Sequence, residues 1–395
     1  MKFEDTCFPL SAAWTTAFAR WQGPASNTNS LVLAERAAGV GLARSGVTWP
    51  IRELVLGQTV PQRESFYGAP TLAARLGYEE VPGPLISQAC ATSVSCLHSA
   101  ASSQAGDRGT ATLVITTDRV SNSPRLQWPN PNNPGGAPDT EHWTLDNFAR
   151  DPWAGEAMVG TAENVAREAG FEKRQLDELT AVRYRQYADA LADERAFQKR
   201  FMVSVEIGTK RKPETLSADT GVRPTTLEDL ERLSPVEQGG VTSFGTQTHP
   251  ADGSAGLVLT DPTLAHARGA EGPLVHVLST GFARAGKAQM PKAPVPAAQK
   301  ALADAGVSIA GIDAVKTHNP FAVNDLWFAR EMDYPAEEMN AYGSSLVYGH
   351  PQGPTGLRGI VELAHILALR GGGTGLFTGC AAGDTGAAAV IRVDA

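Results

Sequence analysis

The stretch that decides the fold spans residues 88–93 and reads QACATS. Residues 83–86 before it predict a short buried strand, and Val94 to Ala105 after it predict a helix rich in alanine and serine. Cys90 therefore falls in a strand-to-helix turn, where the unpaired N–H groups and the dipole of the helix favour an anion. We expect a lowered pKa and a nucleophilic thiolate here, whereas a buried, inert cysteine is the open alternative.

The composition limits the class of protein. The 395 residues are 42% hydrophobic and 19% charged, which suits a globular chain with two domains or one large duplicated domain. The formal net charge of −8 argues against a nucleic-acid surface. We expect no membrane span and no secretory signal, because the apolar runs are short and the N-terminus lacks basic and apolar blocks. Four cysteines without zinc-type spacing favour a reducing, cytoplasmic location.

Helices alternate with short apolar strands over the first 118 residues. Strands are predicted at 8–10, 54–57 and 112–116, and helices are predicted at 30–45 and 69–76. The segment 15–23 is predicted to be a loop or turn. This alternation is typical of an α/β fold.

The composition changes after Asp118. Residues 119–155 hold six prolines and many asparagines, a pattern typical of irregular chain that folds over another part of the molecule. Helices are predicted at 158–168 and 173–195, followed by strand and loop. We interpret 119–248 as an inserted loop or lid domain. An independent helical domain is the less favoured alternative, because no long apolar helix supplies a core for it.

The early pattern returns after the insertion. Residues 43–48 (ARSGVT) precede the strand at 51–55, and residues 303–308 (ADAGVS) precede a predicted strand at 312–315. In both places a helix ends at glycine and a strand follows after a few residues. Two related halves are the simplest interpretation, and chance similarity between α/β units is the alternative.

Three stretches of the second half carry polar groups beside predicted strand ends or helix starts. They are THNPF at 317–321, YGHPQG at 348–353 and TGCAAG at 378–383. Residues at the carboxyl ends of strands in an α/β fold gather at one rim of the sheet. A single histidine is more often structural, and Cys380 alone is more often inert. One thiol in each half with two histidines nearby nevertheless fits a cysteine nucleophile with a base and a second proton donor.

Taken together, these motifs resemble the thiolases, which are acyl-CoA acyltransferases. The thiolase nucleophile motif is matched by 88–93, the Gly-His-Pro block by 349–356 and the second-cysteine block by 379–383. Weaker matches at 158–166 and 251–255 resemble the start of the loop-domain helices and the segment that leaves that domain. The likeness therefore runs along essentially the whole chain.

The resemblance implies a fold, a substrate and an assembly. The fold would be an α/β thiolase fold, in which duplicated βαβαβαββ halves form a five-layer αβαβα sandwich with an inserted loop domain. The halves would be 1–118, with a returning strand near 255–272, and 273–395, while 119–248 would cover the active site. Coenzyme A would arrive with the acyl-CoA substrate, and no other cofactor and no metal would be held. A homodimer or homotetramer is implied, with a possible small accessory subunit and no nucleic-acid partner.

The resemblance also implies residue roles. Cys90 would be the nucleophile, and His350 would take its proton. Cys380 would move the proton at the substrate α-carbon, and His318, with a water, would hold the enolate oxygen. The N–H groups of Cys90 and Ala382 would hold the other oxyanion. The implied coenzyme A contacts are Met158, Thr248 and Phe321.

One departure from the common pattern points to a subfamily. Many thiolases have Asn-Glu-Ala-Phe where this chain has HNPF at 318–321, so that His318 occupies the asparagine position, as in the sterol-carrier-protein-type thiolases. The predicted function is thiolytic cleavage of 3-ketoacyl-CoA, or the reverse Claisen condensation, through an acyl-Cys90 intermediate in lipid metabolism. A ketoacyl-synthase-like condensing enzyme and a non-catalytic thiolase-like subunit of a complex are the alternatives.

Overall fold

The computed structural model describes residues 1–106, 108–209 and 211–395. Its strands are β1 (Cys7–Pro9), β2 (Ala13–Thr16), β3 (Ala19–Arg20), β4 (Ile51–Gly57), β5 (Leu85–Ile86), β6 (Ala111–Arg119), β7 (Arg125–Trp128), β8 (Asp139–His142), β9 (Met202–Val203), β10 (Val205–Thr209), β11 (Lys212–Leu216), β12 (Ala251–Leu259), β13 (Leu274–Arg284), β14 (Ala314–His318), β15 (Gly373–Ala381) and β16 (Thr385–Val393). Its helices are α1 (Ser30–Ser45), α2 (Gly68–Arg75), α3 (Thr92–Gln104), α4 (Leu145–Ala149), α5 (Met158–Ala169), α6 (Lys173–Lys199), α7 (Leu227–Glu231), α8 (Pro262–Ala267), α9 (Pro294–Ala305), α10 (Ala322–Met332), α11 (Ser345–Tyr348) and α12 (Gly353–Leu369).

Two large sheets share one arrangement of four strands. The first sheet runs β5-β4-β6-β12-β2-β9, and the second runs β1-β13-β16-β15-β14. Within them, β4-β6-β12-β2 and β14-β15-β16-β13 both pair first parallel, then antiparallel, then antiparallel. In each set the first strand along the chain takes the last place. The shared order and direction agree with the two related halves expected from the sequence.

The helices and sheets stack in five layers. Helices α3 and α12 lie between the two sheets, and both sheets contribute one apolar face to this central core. Helices α1 and α2 cover the outer face of the first sheet, and α9 and α10 cover the outer face of the second. Within β6, Val114 packs into the central core, whereas Leu113 and Ile115 face the outer helices. This alternation is what a strand buried on both faces requires.

The segment 15–23 is only partly a loop. Strands β2 and β3 both pair with β12, so the sequence prediction is wrong for residues 15–16 and 19–20, whereas residues 17–18 and 21–23 lie outside the strands. The β-branched Thr15 and Thr16 suit a strand, and the Ser254 N–H donates to Thr16 Oγ1 at 3.0 Å. Ser254 lies 238 residues after Thr16. Pairing between strands so far apart along the chain leaves no signal in the local sequence pattern.

The short strand before Cys90 is less buried than the sequence predicts. Strand β5 contains only Leu85 and Ile86 and forms one edge of the first sheet, and Leu85 is 43% exposed. An edge strand has a neighbour on one side only, which leaves its outer side open.

The chain between β6 and β12 contains several small elements. Strands β7 and β8 form a hairpin within the proline-rich part, and β10 and β11 form another. Helix α6 is interrupted by non-helical backbone from Ala192 to Arg195. The division into domains at 119–248 stays a prediction. Among the helices of the described residues, none combines the length and the apolar character of a membrane span.

Candidate active site

Cys90 lies in the turn between β5 and α3. Ala89 before it has φ of 44°, an uncommon value for a residue with a Cβ. Thr92 Oγ1 accepts the N–H of Gln88 at 2.8 Å and donates to the carbonyl of Ala89 at 2.7 Å. These two bonds close the turn ahead of α3 and leave the Cys90 side chain partly exposed.

His350 contacts the Cys90 thiol. Its Nε2 lies 3.0 Å from Cys90 Sγ, and its Nδ1 lies 2.7 Å from Thr355 Oγ1. Gly349 directly before it has φ of 97°, and a Cβ there would lie 2.8 Å from His249 Nε2, so glycine is required at this position. The imidazole is thus held at both nitrogens, in the arrangement in which a base takes a proton from a nucleophile.

His318, the last residue of β14, stacks on His350. The ring centroids are 4.0 Å apart and the ring planes differ by 28°. His318 Nδ1 lies 2.9 Å from Ser345 Oγ, and its Nε2 is buried with no hydrogen-bond partner among the described residues. One ring nitrogen of each histidine and Cys90 Sγ all lie within 4.8 Å of one another. A buried nitrogen without a partner is costly, so His318 Nε2 is suited to an atom of a bound ligand.

Cys380 lies beside His318 at the ends of two parallel strands. The β14–β15 register pairs His318 with Gly379, where a Cβ would lie 2.7 Å from the His318 Cβ. Cys380 is 1% exposed, and its Sγ lies 3.2 Å from Asn324 Nδ2. Burial raises the pKa of Cys380 well above its usual value, the charge of Cys90 raises it further, and the Asn324 amide lowers it. The two groups therefore meet at one rim, as the strand-end pattern indicates.

Burial determines the charge of the Cys90–His350 pair. It raises the pKa of the Cys90 thiol to about 12, although the N–H groups of Ala382 and Cys90 itself lower it. The lowered pKa expected from the sequence is therefore wrong, because removal of a thiolate from water outweighs the donors of the turn. Burial also lowers the pKa of His350 well below its usual value, and His318 lowers it further. The resting pair is a neutral thiol beside a neutral imidazole.

An apolar cavity leads to this pair. It measures about 380 Å³ and opens onto Cys90 and His350. Its wall includes the predicted coenzyme A contacts Met158, Thr248 and Phe321 and the predicted oxyanion donor Ala382. Phe148, Phe244 and Met290 also line it. His318 and Cys380, each 1% exposed, are not among its lining residues. The cavity therefore reaches the Cys90–His350 pair directly, whereas His318 is buried beside this pair and stacks on His350.

Asp118, at the end of β6, anchors the loop that carries His350. Its carboxylate accepts the N–H groups of Thr59 and Val60, both at 2.8 Å, and the N–H of Gly353 at 2.9 Å. Burial raises the pKa of Asp118 to about 7, although these N–H groups favour the charged form and lower it. A side chain of the first half thus holds the start of α12 in the second half.

Comparison with known proteins identifies the family. Residues 10–262 match the model of the thiolase N-terminal domain, and residues 272–393 match the model of the thiolase C-terminal domain. The chain belongs to the thiolase family. It is therefore a thiolase-type acyltransferase, which confirms the enzyme class predicted from the sequence and does not favour the two alternatives.

Individual thiolases show the same likeness. An acetyl-CoA acetyltransferase of Escherichia coli is 34% identical over 60% of this chain and 60% of its own length. An acetyl-CoA acetyltransferase of Synechocystis is 26% identical over 94% of this chain and 95% of its own length. A 3-ketoacyl-CoA thiolase of Saccharophagus degradans is 28% identical over 86% of each.

Solved structures confirm the thiolase fold. The crystal structure of the Bacillus anthracis acetyl-CoA acetyltransferase has a TM-score of 0.90 at 24% identity and covers 99% of each chain. The crystal structure of human mitochondrial 3-ketoacyl-CoA thiolase in complex with CoA has a TM-score of 0.91 at 23% identity and covers 100% of each chain. The five-layer fold expected from the sequence is therefore confirmed.

The donor set of this thiolase offers a poor metal site. Cys90, His318 and His350 bring three ligand atoms, one sulfur and two nitrogens, within 4.8 Å of one another. However, the two imidazoles stack with only 28° between their planes. Because a nitrogen lone pair lies in the plane of its ring, the lone pairs of stacked rings run side by side rather than converge on one ion. The arrangement suits proton transfer better than chelation.

Several residues of this thiolase site escaped the sequence interpretation. They are Asp118, Asn324, Ser345 and Thr355. Asp118, Asn324 and Ser345 contact the motif residues only in the folded chain, whereas Thr355 lies within the 349–356 block but was assigned no role. The one local signal was the position of Thr355 five residues after His350 at the start of a helix, where a hydroxyl is common for other reasons.

Proposed function

We propose that this thiolase acts on acyl-CoA thioesters, cleaving 3-ketoacyl-CoA with coenzyme A or running the reverse Claisen condensation. The observation that carries the proposal is the 3.0 Å contact between Cys90 Sγ and His350 Nε2 at the inner end of an apolar cavity. Support for coenzyme A comes from the names of the relatives and from the human neighbour in complex with CoA. Coenzyme A serves as substrate and product.

In the cleavage direction, His350 Nε2 takes the Cys90 proton as the sulfur attacks the 3-keto carbon. A neutral pair suits this step, because proton transfer accompanies attack and no buried thiolate has to exist beforehand. The N–H groups of Cys90 and Ala382, which face Sγ, hold the oxygen of the tetrahedral intermediate. The bond between C2 and C3 then breaks, leaving an acyl-Cys90 thioester and the enolate of acetyl-CoA.

Cys380 and His318 complete the reaction. The Cys380 S–H protonates C2 of the enolate, while His318 Nε2 contributes a hydrogen bond to the enolate oxygen. Coenzyme A then gives its thiol proton to the Cys380 thiolate as its sulfur attacks the acyl-Cys90 carbonyl carbon, and His350 returns its proton to the departing Cys90 sulfur, which restores all three groups. Condensation is the reverse sequence, in which Cys380 removes the α-proton of the second acyl-CoA. Since His318 Nε2 is buried without a hydrogen-bond partner among the described residues, it is free to take this role.

We place the chain nearest the sterol-carrier-protein-type thiolases, on the evidence of His318 in the asparagine position. A homodimer or homotetramer, with a possible small accessory subunit, and a cytoplasmic location complete the proposal. The half-exposed edge strand β5 supports an assembly, because a second subunit would cover it.

A substrate panel tests the proposal. The purified chain is given 3-ketoacyl-CoA of increasing chain length with coenzyme A, and separately an acyl-CoA with a malonyl thioester. We expect thiolysis into two acyl-CoA products and no release of carbon dioxide. Cys90→Ser should be inactive, and Cys96→Ser, a substitution in the central core, should stay active. Release of carbon dioxide without thiolysis at any length would establish a decarboxylating synthase instead.

A further inference from the structure

The two stacked histidines need their protons on opposite nitrogens. His350 must present a bare Nε2 to the thiol proton, whereas His318 must present an N–H to an oxygen. Burial lowers the pKa of His318 to about 3 and that of His350 well below its usual value, so each ring is neutral and carries one proton. A neutral imidazole places that proton according to the bond at its other nitrogen.

The orientation of the Asn319 amide follows from a buried ion pair. Asp325 Oδ2 accepts from Arg183 Nε at 3.0 Å, and both side chains are at most 1% exposed. A carboxylate can only accept, so the group that faces it at 2.6 Å is Asn319 Nδ2. Asn319 Oδ1 therefore points the other way, where it accepts the Leu346 N–H at 3.2 Å.

Ser345 has one proton and three neighbours. The backbone N–H of Asn319 points at its Oγ at 3.3 Å, so the hydroxyl accepts there. The proton then goes either to Asn319 Oδ1 at 3.3 Å or to His318 Nδ1 at 2.9 Å. The second distance is the shorter, and Asn319 Oδ1 already has a donor in Leu346, whereas His318 Nδ1 has no other donor among the described residues. Donation to Nδ1 leaves the ring proton of His318 on Nε2.

Thr355 meets the other histidine with the opposite polarity. Its Oγ1 lies 2.7 Å from His350 Nδ1, while His350 Nε2 faces the Cys90 thiol. The thiol proton can move to Nε2 only when that nitrogen is bare, so the ring proton sits on Nδ1 and is donated to Thr355. The Ser345 hydroxyl therefore donates to Nδ1 of His318, whereas the Thr355 hydroxyl accepts from Nδ1 of His350.

We propose that Ser345 and Thr355 are positioning residues that hold His318 and His350 in opposite neutral tautomers, and so assign enolate binding to one ring and base catalysis to the other. This inference rests on the proposed function for its consequence. The tautomer of His318 follows from the hydrogen bonds alone, whereas that of His350 also follows from its role as the base for Cys90. Asn319, which neighbours the Ser345 hydroxyl, donates to Asp325, and Asp325 forms an ion pair with Arg183. Arg183 lies on helix α6, so these contacts connect His318 to the inserted segment.

The first test observes the tautomers directly. Protein labelled with ¹⁵N-histidine is studied by NMR, in which a bare imidazole nitrogen and a protonated one resonate far apart. His318→Asn and His350→Asn assign the two signals. We expect the proton of His318 on Nε2 and that of His350 on Nδ1. The same tautomer at both rings would overturn the proposal, and this result does not depend on whether the chain catalyses thiolysis.

The second test separates the two roles kinetically. In Ser345→Ala, acylation of Cys90 should persist while α-proton exchange of the second acyl-CoA falls by about 10- to 100-fold. In Thr355→Val, acylation itself should fall by a similar factor, and Thr355→Ser should restore it. Ser344→Ala is the matched control, because Ser344 is a buried neighbour whose hydroxyl has no partner among the described residues. Equal rates and equal ¹⁵N spectra in Ser345→Ala and Ser344→Ala would contradict the assignment.

Discussion

The two thiols of the active site, Cys90 and Cys380, come from different halves of the molecule and lie in different surroundings. Cys90 is partly exposed to the cavity, and a histidine nitrogen lies 3.0 Å from its sulfur. Cys380 is 1% exposed, and its partner is the Asn324 amide at 3.2 Å. Burial raises the pKa of both. The two thiols therefore share a direction of pKa shift but differ in their hydrogen-bond partners. Cys90 contacts an imidazole that can take its proton, and Cys380 contacts an amide that cannot.

The different partners of Cys90 and Cys380 explain how one buried edge of the two sheets can hold both a nucleophile and an acid. The base at His350 allows Cys90 to lose its proton only as it attacks, so a raised pKa protects the thiol at rest without preventing catalysis. The partner of Cys380 Sγ among the described residues is the Asn324 amide rather than a histidine nitrogen. A raised pKa keeps Cys380 protonated, which is the form that an enolate requires as a proton donor. The four expected groups come together only because the two halves meet at this rim.

The largest expected effect is at Cys90. Cys90→Ala removes the attacking sulfur, so we expect loss of the covalent acyl-enzyme and of all label exchange between acetyl-CoA and free coenzyme A. Intact-mass analysis after brief exposure to acyl-CoA measures the first, and isotope exchange measures the second. Persistence of acylation in this variant would show that another residue is the nucleophile. The comparison of Cys90 as nucleophile with Cys380 as acid would then be wrong.

The next largest effect is at Cys380. Cys380→Ser should still allow single-turnover acylation of Cys90, because the base and the oxyanion donors remain. It should lose hydrogen–deuterium exchange at the α-carbon of the second acyl-CoA, along with thiolysis, because a serine hydroxyl is a much weaker acid than a thiol. Near-normal α-proton exchange of this variant in deuterated buffer would show that Cys380 is a structural residue. The two thiols would then not differ as nucleophile and acid.

His318 should show an intermediate effect, confined to the steps that pass through the enolate, whereas acylation of Cys90 by a simple acyl-CoA forms no enolate. In His318→Ala, acylation at Cys90 should persist, while condensation and cleavage should slow by about 100- to 1000-fold, the usual result of removing one oxyanion donor. Rapid-quench measurement of the acyl-enzyme separates the two steps. An equal loss in acylation would place His318 with the Cys90 base rather than with the Cys380 chemistry.

Asn324 tests the setting of Cys380 without touching the thiol itself. Asn324 Oδ1 accepts the Phe321 N–H at 3.3 Å, so Asn324→Asp keeps an oxygen for this cap of α10, removes the amide donor and places a carboxyl group beside Cys380. Loss of a hydrogen bond to a developing thiolate is worth about 1.5–3 kcal/mol, or roughly 10- to 100-fold in rate. We expect α-proton exchange to fall by this amount at an unchanged melting temperature. Slower acylation as well would show that Asn324 serves the whole site.

The sequence predicted what is local in the chain. Helix α1 was placed correctly because Asn29 caps it, accepting the Leu31 N–H, and Gly46 ends it in a left-handed conformation. The α/β class and the strand-end positions of the polar groups follow from periodicity and turn residues, and the substrate class followed only from the family likeness. These features need no knowledge of which parts of the chain meet.

The sequence could not predict what depends on distant contacts. The Asn324 amide reaches Cys380, which is 56 residues away, and Gly353 reaches Asp118 across 235 residues. The expected thiolate at Cys90 failed for the same reason. A helix N-terminus is visible in the sequence, whereas the depth to which the other half buries the thiol is not, and burial is the stronger influence on its pKa.

The smallest expected effect is the pH dependence of Cys90 alkylation in the free protein. It distinguishes the neutral thiol indicated by burial from the thiolate expected from the sequence. Alkylation rate follows the thiolate fraction. Because burial raises the pKa of Cys90 to about 12, the protonated form predominates throughout pH 6.5–9.5, and the rate with iodoacetamide should rise about tenfold per pH unit across this window. His350 cannot change this slope, since its lowered pKa keeps the ring neutral over the whole window. Intact-mass kinetics with Cys90→Ser as the control measure the modification of Cys90 alone. A plateau above pH 7 would mean that the turn and the helix dipole do hold a thiolate, and that Cys90 differs from Cys380 in charge as well as in its partner.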